Sequence, residues 1–329
     1  MREIIRKVPI PTAGVALGLA ALGNLLQPYT EIVHIVCGIL SLVLIAMLGA
    51  KIALFPDMIR DDLHNSIMAS VSATLFMTLM QLAGYLAPFA YIPAFALWSA
   101  AVVAHLALMG WFTARFISHF KLHEVFPTYF ICYVGIVVAS VTSPTFGMEA
   151  VGHLLFWFGF ACYVVLLGLV TYRYMKHEIP ESARPLFCIY TAPMSLSLVG
   201  YLATAPQPNL VFVLAMLVLA QVLFAVVLSR LPVLLRLRFY PSYAAMTFPF
   251  VITATALGKA LAFFQANGLA VTEVLNVLFA AEAAVSVVMV GYVFIHYLHF
   301  FFMRIEEPKS AAVIRENKQT ARFSEYFEN

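Results

Sequence analysis

The sequence predicts an all-α integral membrane protein of ten transmembrane helices, arranged as five helical hairpins around a central pore. The first observation is the composition: of 329 residues, 63% are hydrophobic and only 11% are charged, whereas soluble domains are about half apolar. The second is that apolar runs of about 20 residues recur along the chain, and each is long enough to cross a hydrocarbon core of about 30 Å. The third is that basic residues and prolines both alternate from one run to the next.

Hydropathy and helix-breaking residues divide the chain into ten segments, which we number in chain order. The segments cover residues 9–27, 31–54, 66–87, 92–119, 127–146, 149–176, 185–204, 209–231, 242–265 and 272–303. They form one predicted membrane domain over 1–303. The polar stretch 304–329 is expected to be a disordered cytoplasmic tail. The basic, apolar N-terminus also resembles a signal peptide, but Pro9 and Pro11 favour a retained first helix.

The lysines and arginines support this count. All of the chain's 19 basic residues except Lys259 lie before the first segment, after the tenth, or at every second connection between them. Because loops rich in lysine and arginine stay in the cytoplasm, we expect both termini to be cytoplasmic and the protein to lie in the plasma or inner membrane. The net charge of +3 therefore reflects topology, and we expect no binding to nucleic acid.

Odd-numbered and even-numbered segments differ in their prolines and hydroxyl groups. Prolines lie within four of the five odd segments and in the interior of no even segment, and serine and threonine follow the same division. Such groups are tolerated in a membrane where they face protein or a water-filled cavity. We therefore predict an inner ring of odd segments around the pore; close helix packing is the alternative for any single residue. The predicted lining residues on the third and seventh segments are Ser70, Thr74, Gln81, Thr191, Pro193 and Ser195.

The ninth segment carries the feature that indicates an anion path. From Phe248, which precedes Pro249, steps of four, seven and eleven residues reach Ile252, Thr255 and Lys259 on one helical face. Lys259 lies about 16 Å beyond Phe248 at ~1.5 Å per residue. Pro249 is expected to bend the helix so that the Phe248 ring projects inward. A ring at mid-depth, a hydroxyl and an outer cation together predict an anion path closed by an aromatic plug.

Four stretches resemble one known family, the tellurite-resistance/dicarboxylate transporters, which include the plant guard-cell slow anion channels. They are PIPTAGVALGLAALG (9–23), FPTYFICYVGIVVAS (126–140), RPLFCIYTAPMSLSLVGYL (184–202) and TFPF (247–250) with Lys259. Together they place almost the whole membrane domain in register with that family.

The resemblance implies ten helices around a pseudo-fivefold pore in each subunit of a homotrimer, with Phe248 as the pore gate. It also implies small anions as the transported species: chloride and nitrate in channels, malate and related C4-dicarboxylates in transporters, and tellurite as a further candidate. One departure is visible. Where a proline is expected near the start of the third segment, this chain has Asn65 and Ser66, which leaves the local shape of that pore wall open.

Three functions compete at this stage: a passive anion channel, a proton-coupled carrier of malate-like acids, and a membrane enzyme. The channel needs only a pore with weak binding sites. The carrier needs a titratable group in the membrane, and Glu282 in the tenth segment is the candidate, with a structural pairing as its alternative.

An enzyme is the least favoured of the three. His296 and His299 lack further metal ligands, and no nucleophile, nucleotide or paired-carboxylate motif is present, so we expect no enzymatic activity, metal or cofactor. His105 and His153 are expected to be packed histidines, and the four cysteines to be free thiols.

Overall fold

A computed structural model describes residues 2–302, and every regular element in that range is helical. The predicted tail at 304–329 lies outside the described residues. The α-helices are α1 (Arg2–Lys7), α2 (Thr12–Leu26), α3 (Glu31–Leu54), α4 (Pro56–Asp62), α5 (Ser66–Val71), α6 (Ala73–Leu86), α7 (Tyr91–Phe112), α8 (Thr128–Tyr133), α9 (Val137–Thr142), α10 (Glu149–Lys176), α11 (Ala192–Thr204), α12 (Leu210–Leu234), α13 (Phe248–Ala266) and α14 (Glu273–Phe302). Longer 3₁₀ stretches precede α11 (Glu181–Thr191) and α13 (Pro241–Met246), and a π-helical turn extends α7 (Thr113–Ile117).

Eight helical segments of the described range are long and apolar enough to cross a membrane. The two remaining predicted segments contain the shorter apolar helices Thr12–Leu26 and Val137–Phe146. The predicted all-α membrane fold is confirmed, whereas the count of ten crossings stays a prediction.

The helices pair as five hairpins: α2 with α3, α6 with α7, α9 with α10, α11 with α12, and α13 with α14. The first helix of each hairpin also contacts two of its counterparts, in the order α2, α6, α9, α11, α13 and back to α2. These five helices, with the α5, α8 and 3₁₀ stretches that lead into α6, α9, α11 and α13, form a closed circle that we call the inner ring. The helices α3, α7, α10, α12 and α14 are the outer helices.

Burial separates the two sets. In the inner segments that are long enough to span, 61–83% of the residues are buried within the chain, against 28–33% in the outer helices. Small residues allow this close packing; for example, 13 of the 15 residues of α2 are buried, many of them alanine or glycine. The outer helices present large exposed apolar side chains instead, as lipid-facing helices do.

The connections that carry the basic residues meet at one end of the bundle, which we call the basic end. There Ser66 Oγ donates a hydrogen bond to the Glu124 carbonyl (2.9 Å), and Ser242 Oγ donates one to the Ser182 carbonyl (2.5 Å). Arg2 lies 5.8 Å from the Phe55 ring. The short connections near residues 27–30, 87–90, 147–148, 205–209 and 267–272 form the opposite end.

The ninth segment differs from the single bent helix that the sequence predicts. A 3₁₀ stretch ends at Met246, Thr247 takes a non-helical conformation (φ −108°, ψ −91°), and a new helix begins at Phe248. Pro249 therefore lies in the first turn of α13, where its fixed φ suits a helix start and its missing N–H costs nothing.

The third segment gains a helix start without a proline. The Asn65 side chain accepts hydrogen bonds from the backbone N–H groups of Ile67 (2.9 Å) and Met68 (3.3 Å) and so caps α5. Asparagine at this position satisfies the free N–H groups of the first turn. The departure from the family pattern thus leaves the start of this segment helical.

Candidate anion pathway

A cavity of about 240 Å³ extends from the basic end into the centre of the inner ring. Every inner segment contributes to its wall. The residues that line it farthest from the basic end are Leu17, Met77, Leu196, Phe248 and Pro249. Phe248 lines the cavity at the start of α13, where that helix packs against α2.

Each inner segment starts or restarts its α-helix beside this cavity. The helices α2, α6, α11 and α13 begin at Thr12, Ala73, Ala192 and Phe248 and run away from the basic end. The fifth segment is interrupted between α8 and α9, where Val134 and Gly135 line the cavity. Four helices of 13 or more residues therefore direct their N-termini toward one space.

The helix N-termini are the features of this cavity that can attract an anion. None of the described residues that line it is aspartate, glutamate, lysine or arginine. The N–H groups of Thr12, Ala13 and Gly14 at the start of α2 already donate to the carbonyls of Pro9, Ile10 and Pro11 (2.8–3.1 Å), so any attraction there comes from the partial positive charge of the helix end. Most of the wall is apolar, with a few polar groups such as Asn65, Thr74 and Ser242.

Phe248 is held by an unusually close approach of α2 to α13. Thr247 Oγ1 donates to the Gly14 carbonyl (3.0 Å) and to the Ala244 carbonyl (2.7 Å). A Cβ atom on Gly18 would lie 2.5 Å from Thr247 Cβ and 3.1 Å from the Phe248 nitrogen. Only glycine fits at this position, and its absence of a side chain lets the Phe248 backbone lie against α2. Phe248 itself is 5% exposed.

The structure places Thr191 and Ser195 behind the cavity wall. Thr191 Oγ1 donates to the Pro249 carbonyl (2.9 Å) and lies 3.0 Å from Thr253 Oγ1, and Ser195 Oγ lies 3.2 Å from the same Thr253 oxygen. This network joins α11 to α13. Pro193, by contrast, lines the cavity together with Ala192.

The predicted polar face of the third segment is divided in the same way. Thr74 lines the cavity, with its hydroxyl donating to the Val71 carbonyl (2.7 Å). Ser70 Oγ donates to the Ser66 carbonyl (2.7 Å) and is fully buried. Gln81 Oε1 accepts a hydrogen bond from Asn24 Nδ2 (2.6 Å), nearer the opposite end.

On α13, exposure increases along the predicted path. Ile252 is buried, Thr255 is half-buried with its hydroxyl donating to the Val251 carbonyl (2.9 Å), and Lys259 is exposed. Ile252, Thr255 and Lys259 are not among the residues that line the cavity. They follow Phe248 along α13 toward the opposite end, where Lys259 is exposed.

Glu282 lies outside the ring, on α14, and is 2% exposed. Its carboxyl group faces the side-chain amide of Gln221 on α12, and neither carboxyl oxygen has a hydrogen-bond partner among the described residues.

Three of the histidines considered above, His105, His153 and His296, have aromatic or hydrogen-bonding neighbours, whereas His299 is exposed. A ring nitrogen of His105 lies 2.9 Å from the Cys132 carbonyl, and Trp157 Nε1 donates to His153 (3.0 Å). His296 packs against Phe239 and Tyr292. Within residues 2–302, no three histidine, cysteine or acidic side chains come together as metal ligands.

Sequence reasoning missed most of the apolar wall. Met77 and Leu196 each lie three residues after a predicted lining residue, Thr74 and Pro193 respectively, and so share its helical face. Met68 and Leu186 also line the cavity. These four residues were not predicted because they are apolar. The three-residue spacing from Thr74 and Pro193 nevertheless indicates Met77 and Leu196 as lining residues.

Comparison with known proteins agrees with this geometry. The family model for voltage-dependent anion channels matches residues 7–298. The chain belongs to this family. The resemblance drawn from the sequence is therefore confirmed, and the protein is a member of a family of membrane anion channels and transporters, which is not a family of enzymes. No curated protein gave a significant match.

Proposed function

We propose that this family member is an anion pore that passes small anions through each subunit and that Phe248 closes the pore at mid-depth. The observation that carries the proposal is that Phe248 lines the cavity at the start of α13, with the starts of α2, α6 and α11 around the same space and with Thr255 and Lys259 further along its own helix. An anion that enters from the basic end meets a positive backbone potential and then the ring.

The composition of the wall suits conduction rather than tight binding. Partial charges from helix ends attract an anion, and the absence of lysine or arginine among the lining residues lets it leave again. Conduction needs binding that is favourable enough for the ion to enter and weak enough for it to leave. The candidate ions are chloride, nitrate, C4-dicarboxylates and tellurite, and a selectivity series in planar bilayers separates them.

Replacing Phe248 with alanine tests the proposal. We expect anion current in planar bilayers to rise by about tenfold or more, since each ~1.4 kcal/mol removed from a barrier is a factor of ten. Phe248→Leu should give an intermediate current, because leucine retains part of the occlusion.

Phe250 is the matched control on the same helix. It is 1% exposed and packs edge-on against Phe224 of α12, with ring centroids 6.0 Å apart. Phe250→Ala should lower stability by about 3–5 kcal/mol without raising current. Equal currents from wild type and Phe248→Ala, in protein that gel filtration shows to be intact, would refute the gate.

A proton-coupled carrier of malate or similar acids is the second candidate, and Glu282 favours it. A buried carboxyl group in a membrane helix is a functional candidate by default, and the polar group that faces this one is the side-chain amide of Gln221. Malate uptake into liposomes that contain a pH dye decides between the two functions. A carrier changes the luminal pH as it transports each substrate molecule, and Glu282→Gln should abolish this coupling. A channel passes current without proton movement.

Assembly and orientation complete the proposal. We infer a homotrimer in the plasma or inner membrane, supported by family membership and by the wide exposed apolar faces of the outer helices. The basic end faces the cytoplasm by the positive-inside rule. Light scattering gives the subunit number, and accessibility of tags at both termini gives the orientation.

A further inference from the structure

A second feature of the molecule is the side chain of Arg173, near the basic end of α10. It is 2% exposed, and its guanidinium lies 4.2 Å from the centroid of the Phe126 ring. Nη2 donates a long hydrogen bond (3.3 Å) to the carbonyl of His123. Nε and Nη1 have no acceptor among the described residues.

This guanidinium also has no carboxylate partner in residues 2–302. The nearest acidic residue along the covering loop, Glu124, pairs with Lys121 (3.2 Å) and lies 3.8 Å from His123 instead. Buried charges in proteins are almost always paired or heavily hydrogen-bonded. Arg173 therefore has the hydrogen-bonding capacity for an anion that this part of the chain does not supply.

The ring of Tyr174, which carries a buried hydroxyl group, lies beside the guanidinium. The Tyr174 hydroxyl has no hydrogen-bond partner among the described residues, and the Arg173 Cζ atom lies 5.6 Å from the Tyr174 ring. The Tyr174 ring packs edge-on against the Tyr190 ring, with centroids 5.8 Å apart. A guanidinium and a phenol hydroxyl with free donors match the oxygens of a phosphate group.

We propose that Arg173 and Tyr174 form a second anion site, separate from the pore, that binds the phosphate group of a lipid headgroup with net negative charge or a free phosphate ion. The site lies at the membrane-facing end of α10, and its cover is a single loop whose His123 side chain is 63% exposed. The anion takes the place of the His123 carbonyl at Nη2. Phe126 of the same loop precedes the inner segment that starts at Pro127, so occupancy stabilises the basic end of the inner ring.

Thermal unfolding of the purified full-length protein tests this site. In detergent, inorganic phosphate is titrated at constant ionic strength. In a second arm, the protein is placed without free phosphate in nanodiscs of phosphatidylglycerol or of phosphatidylcholine. The decisive variant is Tyr174→Phe, since the hydroxyl that it removes has no partner within residues 2–302 and a purely structural role predicts no change. We expect the phosphate affinity to fall about tenfold in this variant. The rise in Tm that phosphatidylglycerol gives should become smaller for the same reason.

Arg173→Met should abolish the effect, and Arg236→Met, which removes an exposed arginine from the same end, should titrate like wild type. A shift with phosphate in detergent supports the site and identifies a soluble oxyanion. A shift that requires phosphatidylglycerol supports it and identifies a lipid headgroup. The proposal is overturned if neither raises the Tm of wild type, or if Tyr174→Phe responds as wild type does.

Discussion

The inner ring and the outer helices are both apolar, but the inner segments that are long enough to span have the lower mean hydropathy, 1.5 against 1.8–3.0, and their helices are interrupted. An outer helix such as α12 runs without interruption for 25 residues. An inner segment such as the ninth changes from a 3₁₀ stretch to an α-helix at Thr247, in the middle of the protein. The difference teaches that interruptions and buried hydroxyls are tolerated where other protein segments cover them. Substitutions of one residue type should therefore have different effects in the two regions.

The largest expected contrast between the inner ring and the outer helices is the effect of a glycine substitution on stability. Gly18→Ala on the inner helix α2 places a methyl group 2.5 Å from Thr247 Cβ and 3.1 Å from the Phe248 nitrogen. Since the backbone must move, we expect a loss of about 3 kcal/mol of stability. Gly49→Ala on the outer helix α3 meets no atom within 4 Å and should be neutral. Thermal unfolding in detergent measures both, and equal transitions would mean that α2 and α13 are not packed as described.

The next contrast is the effect on stability of removing a side-chain hydroxyl group in each region. Thr253→Val keeps the side-chain shape but removes the oxygen that lies between Thr191 and Ser195. We expect a loss of about 1 kcal/mol, typical of one hydrogen-bonded side chain. Ser229→Ala on α12 removes an exposed hydroxyl that bonds only within its own helix (2.7 Å to the Val226 carbonyl) and should leave stability unchanged. The same unfolding assay applies; an unaltered Thr253→Val protein would show that this network contributes nothing to joining α11 and α13.

Lys259 gives the smallest expected effect, and it concerns current rather than stability. A charge about 10 Å from the ion path in water contributes about 0.4 kcal/mol. Lys259→Ala should thus lower anion current about twofold at low salt, and screening should remove the deficit near 1 M salt. Lys259→Glu should lower current further. A deficit that persists at high salt would assign Lys259 a structural role.

The sequence identified which segments would be inner, because proline and hydroxyl residues mark positions that need protein cover. It could not locate the interruptions well. The third segment restarts after Ser72 and the fifth at Val134–Ile136 without a proline, so tertiary contacts decide there rather than local propensity. The roles of Thr191 and Ser195 were equally hard to foresee, because a threonine that lines a cavity and one that joins two helices have the same spacing. Phe248 was found since its neighbours Pro249 and Lys259 are unusual in an apolar run.

The closure of the inner ring also depends on the order in which its helices are synthesised. The hydrogen bond from Thr247 to the Gly14 carbonyl joins residues 233 positions apart. At roughly 5–20 residues per second, the ribosome needs roughly 10–50 s to make the second partner after the first has emerged. During that interval one face of α2, with its glycines and carbonyl groups, has no packing partner, because α13 has not yet been synthesised. The first hairpin of the nascent chain therefore depends on the translocon, or on temporary neighbours, until the last hairpin arrives.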